Sequence, residues 1–285
     1  MSLENVMNPI NSRMVPLHVR IGFSPGARYD LNLAILTHCG EHNLHRIACM
    51  KKWGVLNAGK YKVHLTLIVN PGDFEMFEKI SEGWLATEDV SIIEMPCAAP
   101  IPKINGYYLW LMGSAFSARW HGRVDDDSMT DVAAMMDYLH RGFGEAAVHV
   151  AGGPMMDHEQ EPLFVPFLLE HGIFPRDGRT EYESSFTSDA GMCEIFSNKT
   201  GRWLIEESGR RFVGPGDRAL AFAADVSGVR KVENACSIFW FDLERFSLFG
   251  GDSYHIHYVP WHEEELLERL SARFSDRSPE SHSIS

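Results

Sequence analysis

Three consecutive aspartates, at positions 125–127, are the residues of this sequence best suited to chemistry. They follow His121–Val124, so the triplet stands at the end of a predicted strand. Successive side chains of an extended segment point to opposite sides, which predicts Asp125 and Asp127 on one face and Asp126 on the other. Converging carboxylates repel each other unless a cation lies between them. Mg²⁺ and Mn²⁺ bind one or two carboxylates together with phosphate oxygens of a substrate, so the triplet predicts a divalent-cation site.

A purely structural role is the alternative for the triplet. Acidic residues are common in solvated loops and in the first turn of helices. Residues 128–131 read Ser-Met-Thr-Asp and fit the capped start of a helix. In this interpretation the aspartates belong to a surface cap and bind no ligand.

His255 and His257 form a second candidate site. They are separated by one residue in the extended-type segment Ser253–Val259. Both imidazoles would lie on one face of a strand, where they could share a metal ion. Two hydrogen-bonded or surface histidines are the simpler interpretation. A binuclear hydrolase of the HxHxDH type is excluded, because Val259 stands where that motif requires aspartate.

The elements around the triplet alternate between strand and helix patterns. Strands are predicted for Leu31–Leu36, Tyr61–Val69, Val90–Met95 and His121–Val124, and helices for Asn43–Trp53, Phe74–Trp84, Tyr107–Trp120 and Thr130–His140. This alternation predicts an α/β fold of three layers with a mostly parallel central sheet. Ligands of open α/β sheets bind beyond the carboxyl ends of the strands, and the triplet stands at such an end.

The second half of the chain has a less regular pattern. Extended segments are predicted for Ala190–Phe196, Lys231–Phe241 and Ser253–Val259. Helices are predicted from Ser197 or Asn198 to about Ser208, over Asp217–Val226 and over Trp261–Phe274.

Composition limits the possible partners and compartments. The net charge is −13 and the longest basic runs are pairs, so we expect no nucleic acid as a partner. No apolar stretch reaches the length of a transmembrane helix. The five cysteines are odd in number and include no close pair, which predicts reduced thiols. We expect a cytoplasmic protein, or a lumenal one if an anchor precedes this sequence, and we prefer the cytoplasm.

Five segments, in this order, resemble the β-1,3-glycosyltransferase family that includes Fringe. They are Thr37–Trp53, Val124–Met129, Thr187–Ser197, Gly214–Ala221 and Tyr254–His257. They are similar, respectively, to the family's opening loop and arginine before a helix ending in tryptophan, its metal-binding DDD, its small-residue stretch, the segment of its catalytic base and its late metal-ligating histidine. The resemblance covers about residues 31–260. It implies a GT-A fold and an inverting, Mn²⁺-dependent hexosyltransferase that uses a nucleotide-sugar donor.

The resemblance also implies which residues bind the donor and the metal. The donor contacts would be Thr37, Arg46, Asp125 and Asp126. The ligands of Mn²⁺, or of Mg²⁺, would come from Asp125, Asp127, His255 and His257, with one of the two histidines used. The donor would be a UDP-sugar by the family default. The acceptor would be a hydroxyl group, on a glycan or another molecule.

Asp217 matches the family's catalytic base. In that role it would take the proton from the acceptor hydroxyl as the oxygen attacks the anomeric carbon. The N-cap of the helix it begins is its structural alternative. The implied domain is 31–274, with residues 31–127 binding the nucleotide and 128–274 the acceptor. Residues 1–30 form an N-terminal extension, and 275–285 a Ser-rich tail that composition predicts to be disordered.

Two other functions fit the same residues. An aspartate-based phosphatase or phosphotransferase also needs clustered carboxylates. Such enzymes place their motif after the first strand, however, whereas this triplet stands far into the chain. The third possibility is a non-catalytic α/β protein that binds a nucleotide or a glycan with metal and does not turn it over.

Overall fold

A computed structural model describes residues 15–23, 26–37, 48–49, 52, 55–56, 58–80, 89–96, 103, 107, 110–111, 116–152, 156–158, 186–188, 193–198, 229–234, 237–239, 254–257, 259 and 262–275. The strands are β1 (His18–Arg20), β2 (Arg28–Leu36), β3 (Val55–Leu56), β4 (Val63–Val69), β5 (Val90–Glu94), β6 (Ser117–Asp125), β7 (Met129–Asp131), β8 (Val148–Gly152), β9 (Met156–His158), β10 (Phe186–Ser188), β11 (Cys193–Ser197), β12 (Arg230–Asn234), β13 (Ser237–Phe239) and β14 (His255–His257). The helices with described bounds are α1 (Phe74–Ile80), α2 (Val132–Gly142) and α3 (Glu264–Ser275).

Eight strands form the central sheet, in the order β1-β5-β4-β2-β6-β11-β8-β12. The neighbours β5, β4, β2 and β6 are parallel to one another, and β8 is parallel to β12. β11 is antiparallel to both β6 and β8, and β1 is antiparallel to β5 at one edge. The predicted α/β fold with a mostly parallel central sheet is confirmed.

Both faces of this sheet are covered, which gives the three layers. On one face, the alternate β2 residues Leu31, Leu33 and Ile35 lie in one apolar cluster. The same cluster contains Phe77 of α1, Leu139 of α2 and Leu267 of α3. On the other face Ala34 packs in a second cluster with the helical residues at positions 107 and 111. A strand that is buried on both faces needs a nearly continuous apolar sequence, and LNLAIL in β2 is such a sequence.

A layer of buried polar side chains lies on the second face. His64 contacts Oδ1 of Asn32 through Nδ1 at 2.9 Å and Oγ of Ser91 through Nε2 at 3.0 Å. Thr66 donates to the same Asn32 oxygen at 2.9 Å, and the Asn32 amide donates to the hydroxyl of Tyr107 at 2.6 Å. Burial lowers the pKa of His64 to about 3, so this imidazole is neutral at physiological pH. The layer ties β2, β4 and β5 together with neutral hydrogen bonds.

A second sheet has the order β13-β14-β7-β3. β14 is antiparallel to β7, with His255 opposite Thr130, and β13 is parallel to β14. Since β7 begins at Met129, shortly after β6 ends at Asp125, this sheet brings a late segment of the chain beside the aspartate triplet. β9 and β10 form a separate antiparallel pair.

Two predicted helices have the wrong boundaries. Tyr107–Trp120 is helical at positions 107, 110 and 111, but Ser117–Trp120 belongs to β6. Large apolar residues obscured the alternation there, in which Ala118 and Trp120 are buried and the two residues at 117 and 119 are half-buried. The helix predicted from Thr130 begins at position 132, because Met129–Asp131 pairs as a strand.

The other predictions that fall on described residues agree in type, and no element was predicted over β1, β3, β8, β9 and β10. The strands predicted in the first half correspond to β2, β4, β5 and β6, and the later extended segments to β11, β12, β13 and β14. The helices predicted from Phe74 and from Trp261 correspond to α1 and α3. Of Asn43–Trp53, positions 48 and 49 are helical, and Asp217–Val226 lies outside the described residues. No helix in the described part of the chain is long and apolar enough to cross a membrane.

Candidate functional site

The parallel strands of the central sheet end along one side, which we call the carboxyl edge and define by Leu36, Val69, Glu94 and Asp125. The register places Leu36 of β2 beside both Asp125 of β6 and Ile68 of β4. β11 is antiparallel and begins there, with Cys193 opposite Val124. The carboxyl edge therefore gathers the aspartate triplet, the residue after β2 and Cys193 of the small-residue stretch.

Thr37 connects the end of β2 to the triplet. Its hydroxyl donates to Oδ2 of Asp126 at 2.7 Å, and its backbone N–H donates to the carbonyl of Ile68 at 3.1 Å. Both side-chain partners are buried, with 1% of Thr37 and 6% of Asp126 exposed. A short hydrogen bond to a carboxylate away from water is among the stronger neutral-to-charged contacts. Thr37 thus holds the middle aspartate in place.

The conformation of the triplet differs from the extended one predicted. β6 ends at Asp125, and Asp126 and Asp127 form a turn. The turn is needed because the chain leaves the central sheet here and enters β7 of the second sheet. Asp126 is buried, whereas Asp125 and Asp127 are half-buried, so the middle residue still differs from its neighbours. The buried Arg123 lies two residues earlier, with its Nη1 3.5 Å from Oδ1 of Asp125.

Lys103 is the second cation of the carboxyl edge. Its Nζ donates to Oδ1 of Asn70 at 2.7 Å and to the carbonyl of Thr37 at 3.1 Å. Asn70 directly follows β4 and Thr37 directly follows β2, so one ammonium group joins two neighbouring strand ends. Arg123 and Lys103 together offset part of the negative charge that the three aspartates concentrate here.

The second sheet places β14 beside the triplet. His255 is buried, and its Nδ1 lies 2.9 Å from Oγ1 of Thr130. The backbone N–H of Val259 donates to the carbonyl of Asp127 at 2.8 Å, and His255 and Ile256 pair with Thr130 and Met129, so these residues lie beside the end of the triplet. His257 of β14 pairs with Phe239 of β13, and the His257 side chain lies outside the described part of the structure. The histidine strand and the triplet are neighbours in the fold, although more than a hundred residues separate them in sequence.

The structure brings together some of the predicted site residues. Thr37, Asp125, Asp126 and Asp127 lie at the carboxyl edge, and His255 lies on the adjacent strand. Arg46 and Asp217 fall outside the described residues. Within the described residues, no group of three or more His, Cys, Asp or Glu side chains is arranged to hold a metal ion.

Sequence reasoning missed Asn70, Lys103 and Thr130. Asn70 directly follows a predicted strand, so the rule that sites lie at carboxyl ends would have identified it. Lys103 has a weaker signal, because it is the only charged residue between Glu94 and Arg119. Thr130 has no signal of its own, since its contact with His255 depends on the pairing of two distant strands.

Three glycosyltransferases are among the solved structures to which this chain is similar. No protein-family model and no curated protein match the sequence. Mouse xyloside xylosyltransferase 1 in its apo form has a TM-score of 0.43 and 11% identity, over 81% of this chain and 97% of that one. The mannosyltransferase PcManGT from Pyrobaculum calidifontis, in complex with GDP-Man and Mn²⁺, has a TM-score of 0.45 and 12% identity, over 95% and 74%. The galactosyltransferase LgtC, in complex with donor and acceptor sugar analogs, has a TM-score of 0.47 and 9% identity, over 87% and 98%.

These similarities are too distant to assign a family or an activity to this chain. The identities are 9–12% and the TM-scores lie below 0.5. None of the three names mentions a β-1,3-glycosyltransferase. Membership of that family therefore stays a prediction from the sequence.

Proposed function

We propose that this protein is a metal-dependent glycosyltransferase that moves a sugar from a nucleotide-diphosphate donor to a hydroxyl acceptor such as a glycan. One observation carries the proposal: the aspartate triplet stands at the carboxyl edge of a mostly parallel sheet, held there by Thr37. Ligands of open α/β sheets bind beyond this edge. The ordered sequence motifs supply the reaction type, and UDP is the first donor nucleotide to test. Residues 31–127 would bind the nucleotide and 128–274 the acceptor.

The residues near the triplet suit Mn²⁺ or Mg²⁺. Carboxylate oxygens are the ligands that both ions prefer, and an imidazole nitrogen suits Mn²⁺ better than the harder Mg²⁺. Asp127 would be the main ligand, with Asp125 and one of His255 and His257. Since no three such side chains are arranged around one point in the described part of the chain, one or two carboxylates of the triplet would hold the ion together with phosphate oxygens of the donor and water, and a histidine would join them only by moving closer. When bound, the cation would neutralise negative charge on the donor diphosphate.

Neighbouring side chains orient this set of ligands. Thr37 holds Asp126, which fixes the turn containing Asp127. Thr130 contacts the Nδ1 side of the His255 imidazole at 2.9 Å, so Nε2 is on the other side of the ring. A metal-binding histidine commonly donates the N–H of its second ring nitrogen to an acceptor, which fixes the ring and its tautomer, and the Thr130 hydroxyl oxygen lies where it could accept that bond.

The chemical step in this proposal is a single displacement. Asp217 would take the proton from the acceptor hydroxyl as that oxygen forms a bond to the anomeric carbon. The bond from the anomeric carbon to the diphosphate breaks in the same step, which inverts the anomeric configuration. Arg46 would contact the diphosphate or the nucleobase of the donor. If Asp217 is the base, Asp217→Asn loses turnover and still binds the donor.

Thermal stabilisation by nucleotides tests whether the donor site exists. The melting temperature is measured with UDP, GDP and their sugars, with and without Mn²⁺, for the wild type, Asp127→Asn and the surface control Glu145→Gln. A ligand that binds only the folded protein raises the melting temperature. The proposal predicts that one nucleotide class stabilises the wild type and the control, that Mn²⁺ is required, and that Asp127→Asn abolishes the effect. Equal stabilisation of Asp127→Asn would remove the triplet from the site.

A further inference from the structure

Lys103 is a buried lysine at the carboxyl edge that the proposed reaction does not use. Only 3% of it is exposed. Removing an ammonium group from water destabilises a fold unless protein acceptors replace the lost hydration. The reason for a lysine at this position must therefore be found in the contacts it makes.

Two contacts of the ammonium join the ends of neighbouring strands. Nζ donates to Oδ1 of Asn70 at 2.7 Å and to the carbonyl oxygen of Thr37 at 3.1 Å. These acceptors follow β4 and β2 directly, and β2 and β4 are adjacent parallel strands. Lys103 is far from both in sequence, so it acts as a tertiary tie between them.

Thr37 extends this tie to the aspartate triplet. While its carbonyl accepts from Lys103, its hydroxyl donates to Oδ2 of Asp126 at 2.7 Å. Three hydrogen bonds therefore run in series from Asn70 to Lys103, Thr37 and Asp126, and we call this series the lysine series. Lys103, Thr37 and Asp126 are all buried, so water competes little for these bonds.

We infer that Lys103 is a positioning residue that fixes Thr37 and, through Thr37, the orientation of the turn at Asp126 and Asp127. The role of that turn in holding a cation rests on the proposed function, whereas the lysine series is a property of the fold. Outer partners that orient metal ligands change metal affinity by about 10–100-fold when they are removed. Loss of Lys103 should weaken cation binding without removing any ligand.

A double-mutant cycle separates positioning through Thr37 from direct contact with the ligand. The proteins are the wild type, Lys103→Met, Thr37→Val and the double variant, with Lys60→Met as an exposed-lysine control. The readout is the Mn²⁺ concentration that gives half of the thermal stabilisation by UDP or GDP. We expect each single variant to raise this concentration about 10-fold. The double variant should need a Mn²⁺ concentration within about 2-fold of that needed by the single variant with the larger requirement. The control should need a concentration within about 2-fold of the wild-type value.

Independent effects would overturn the inference. If the two changes multiply to about 100-fold in the double variant, Lys103 acts without Thr37 and the inference is wrong. It is also wrong if Lys103→Met leaves the Mn²⁺ requirement at the wild-type value. Should Lys103→Met fail to fold, Asn70→Ala replaces it in the cycle, because it removes one acceptor of the ammonium and keeps the lysine.

The same proteins distinguish failure of this inference from failure of the proposed function. If no nucleotide stabilises the wild type, the proposed function is wrong. The melting temperatures of the four metal-free proteins then decide about the lysine series. Losses that do not add in the double variant support the series, and losses that add overturn it.

Discussion

The hydrogen bond between Thr37 and Asp126 offers a quantitative test of the site's construction. Thr37→Val replaces the hydroxyl with a methyl group of similar size, so it removes the donor without leaving a cavity. Hydrogen bonds to charged groups contribute about 1.5–3 kcal/mol, and here both partners are buried. We therefore expect the free energy of unfolding to fall by about 2 kcal/mol. For a chain of 285 residues the melting temperature should fall by about 3 °C.

Two comparisons isolate the contribution of the charge. In an Asp126→Asn background the acceptor is a neutral amide oxygen, so Thr37→Val should cost only about 1 kcal/mol. Thr66→Val is the matched control, because the buried Thr66 hydroxyl donates to the neutral oxygen of Asn32 at 2.9 Å. Its expected cost is also about 1 kcal/mol.

Urea unfolding of the metal-free proteins, followed by circular dichroism, measures these differences. The expected coupling between Thr37 and Asp126 is about 1 kcal/mol, which exceeds the error of about 0.3–0.5 kcal/mol in additivity. If Thr37→Val costs the same in both backgrounds, or less than Thr66→Val, the hydroxyl does not hold the carboxylate and the described geometry of the triplet is refuted.

Three further changes test the fold around the site. Asp131 caps α2 by accepting from the N–H of Ala134 at 3.0 Å, so Asp131→Ala should lower the free energy of unfolding by about 1 kcal/mol in urea titrations. Leu33→Ala, in the core beside α1, should cost about 2–5 kcal/mol in the same titrations, whereas Leu17→Ala at the exposed edge should change it by less than about 0.5 kcal/mol. His64 has a pKa of about 3 in the folded protein against 6.5 in the unfolded chain. The contribution of the neutral imidazole to the free energy of unfolding is therefore fully present above pH 6.5. As the pH falls below 6.5, this contribution is lost at about 1.4 kcal/mol per pH unit. Unfolding of the wild type and His64→Gln from pH 7 to pH 4 checks this, and parallel curves would contradict it.

The sequence was sufficient to predict the elements of the central sheet where one period dominates. The apolar run in β2 and the alternation in β4 fit a strand and do not fit a helix, so both strands were predicted correctly. β6 was harder, because Ala118 and Trp120 follow an apolar stretch in which helical and extended patterns overlap. Local periodicity could not show where the helix stops and the strand begins.

The sequence indicated residues that lie at strand ends, and it did not indicate the tertiary contacts between them. The triplet was singled out because it stands at the end of a predicted strand, whereas Thr37, which follows β2, was named through the family resemblance. Lys103 reaches the same edge from a segment between two strands, and nothing in its local sequence specifies that contact. The turn at Asp126 was also missed, because it depends on the entry of the chain into a second sheet. Such features are set by long-range packing, which the local sequence does not encode.

Release of nucleoside diphosphate from nucleotide sugars is the most direct test of the proposed function. The purified protein is incubated with UDP- and GDP-sugars, with Mn²⁺ or with a chelator, and the free diphosphate is measured over time. The proposed function predicts release from one nucleotide class that requires Mn²⁺, is retained in Glu145→Gln and is lost in Asp127→Asn. Absence of release from every donor by the folded wild type, or unchanged release by Asp127→Asn, would contradict it.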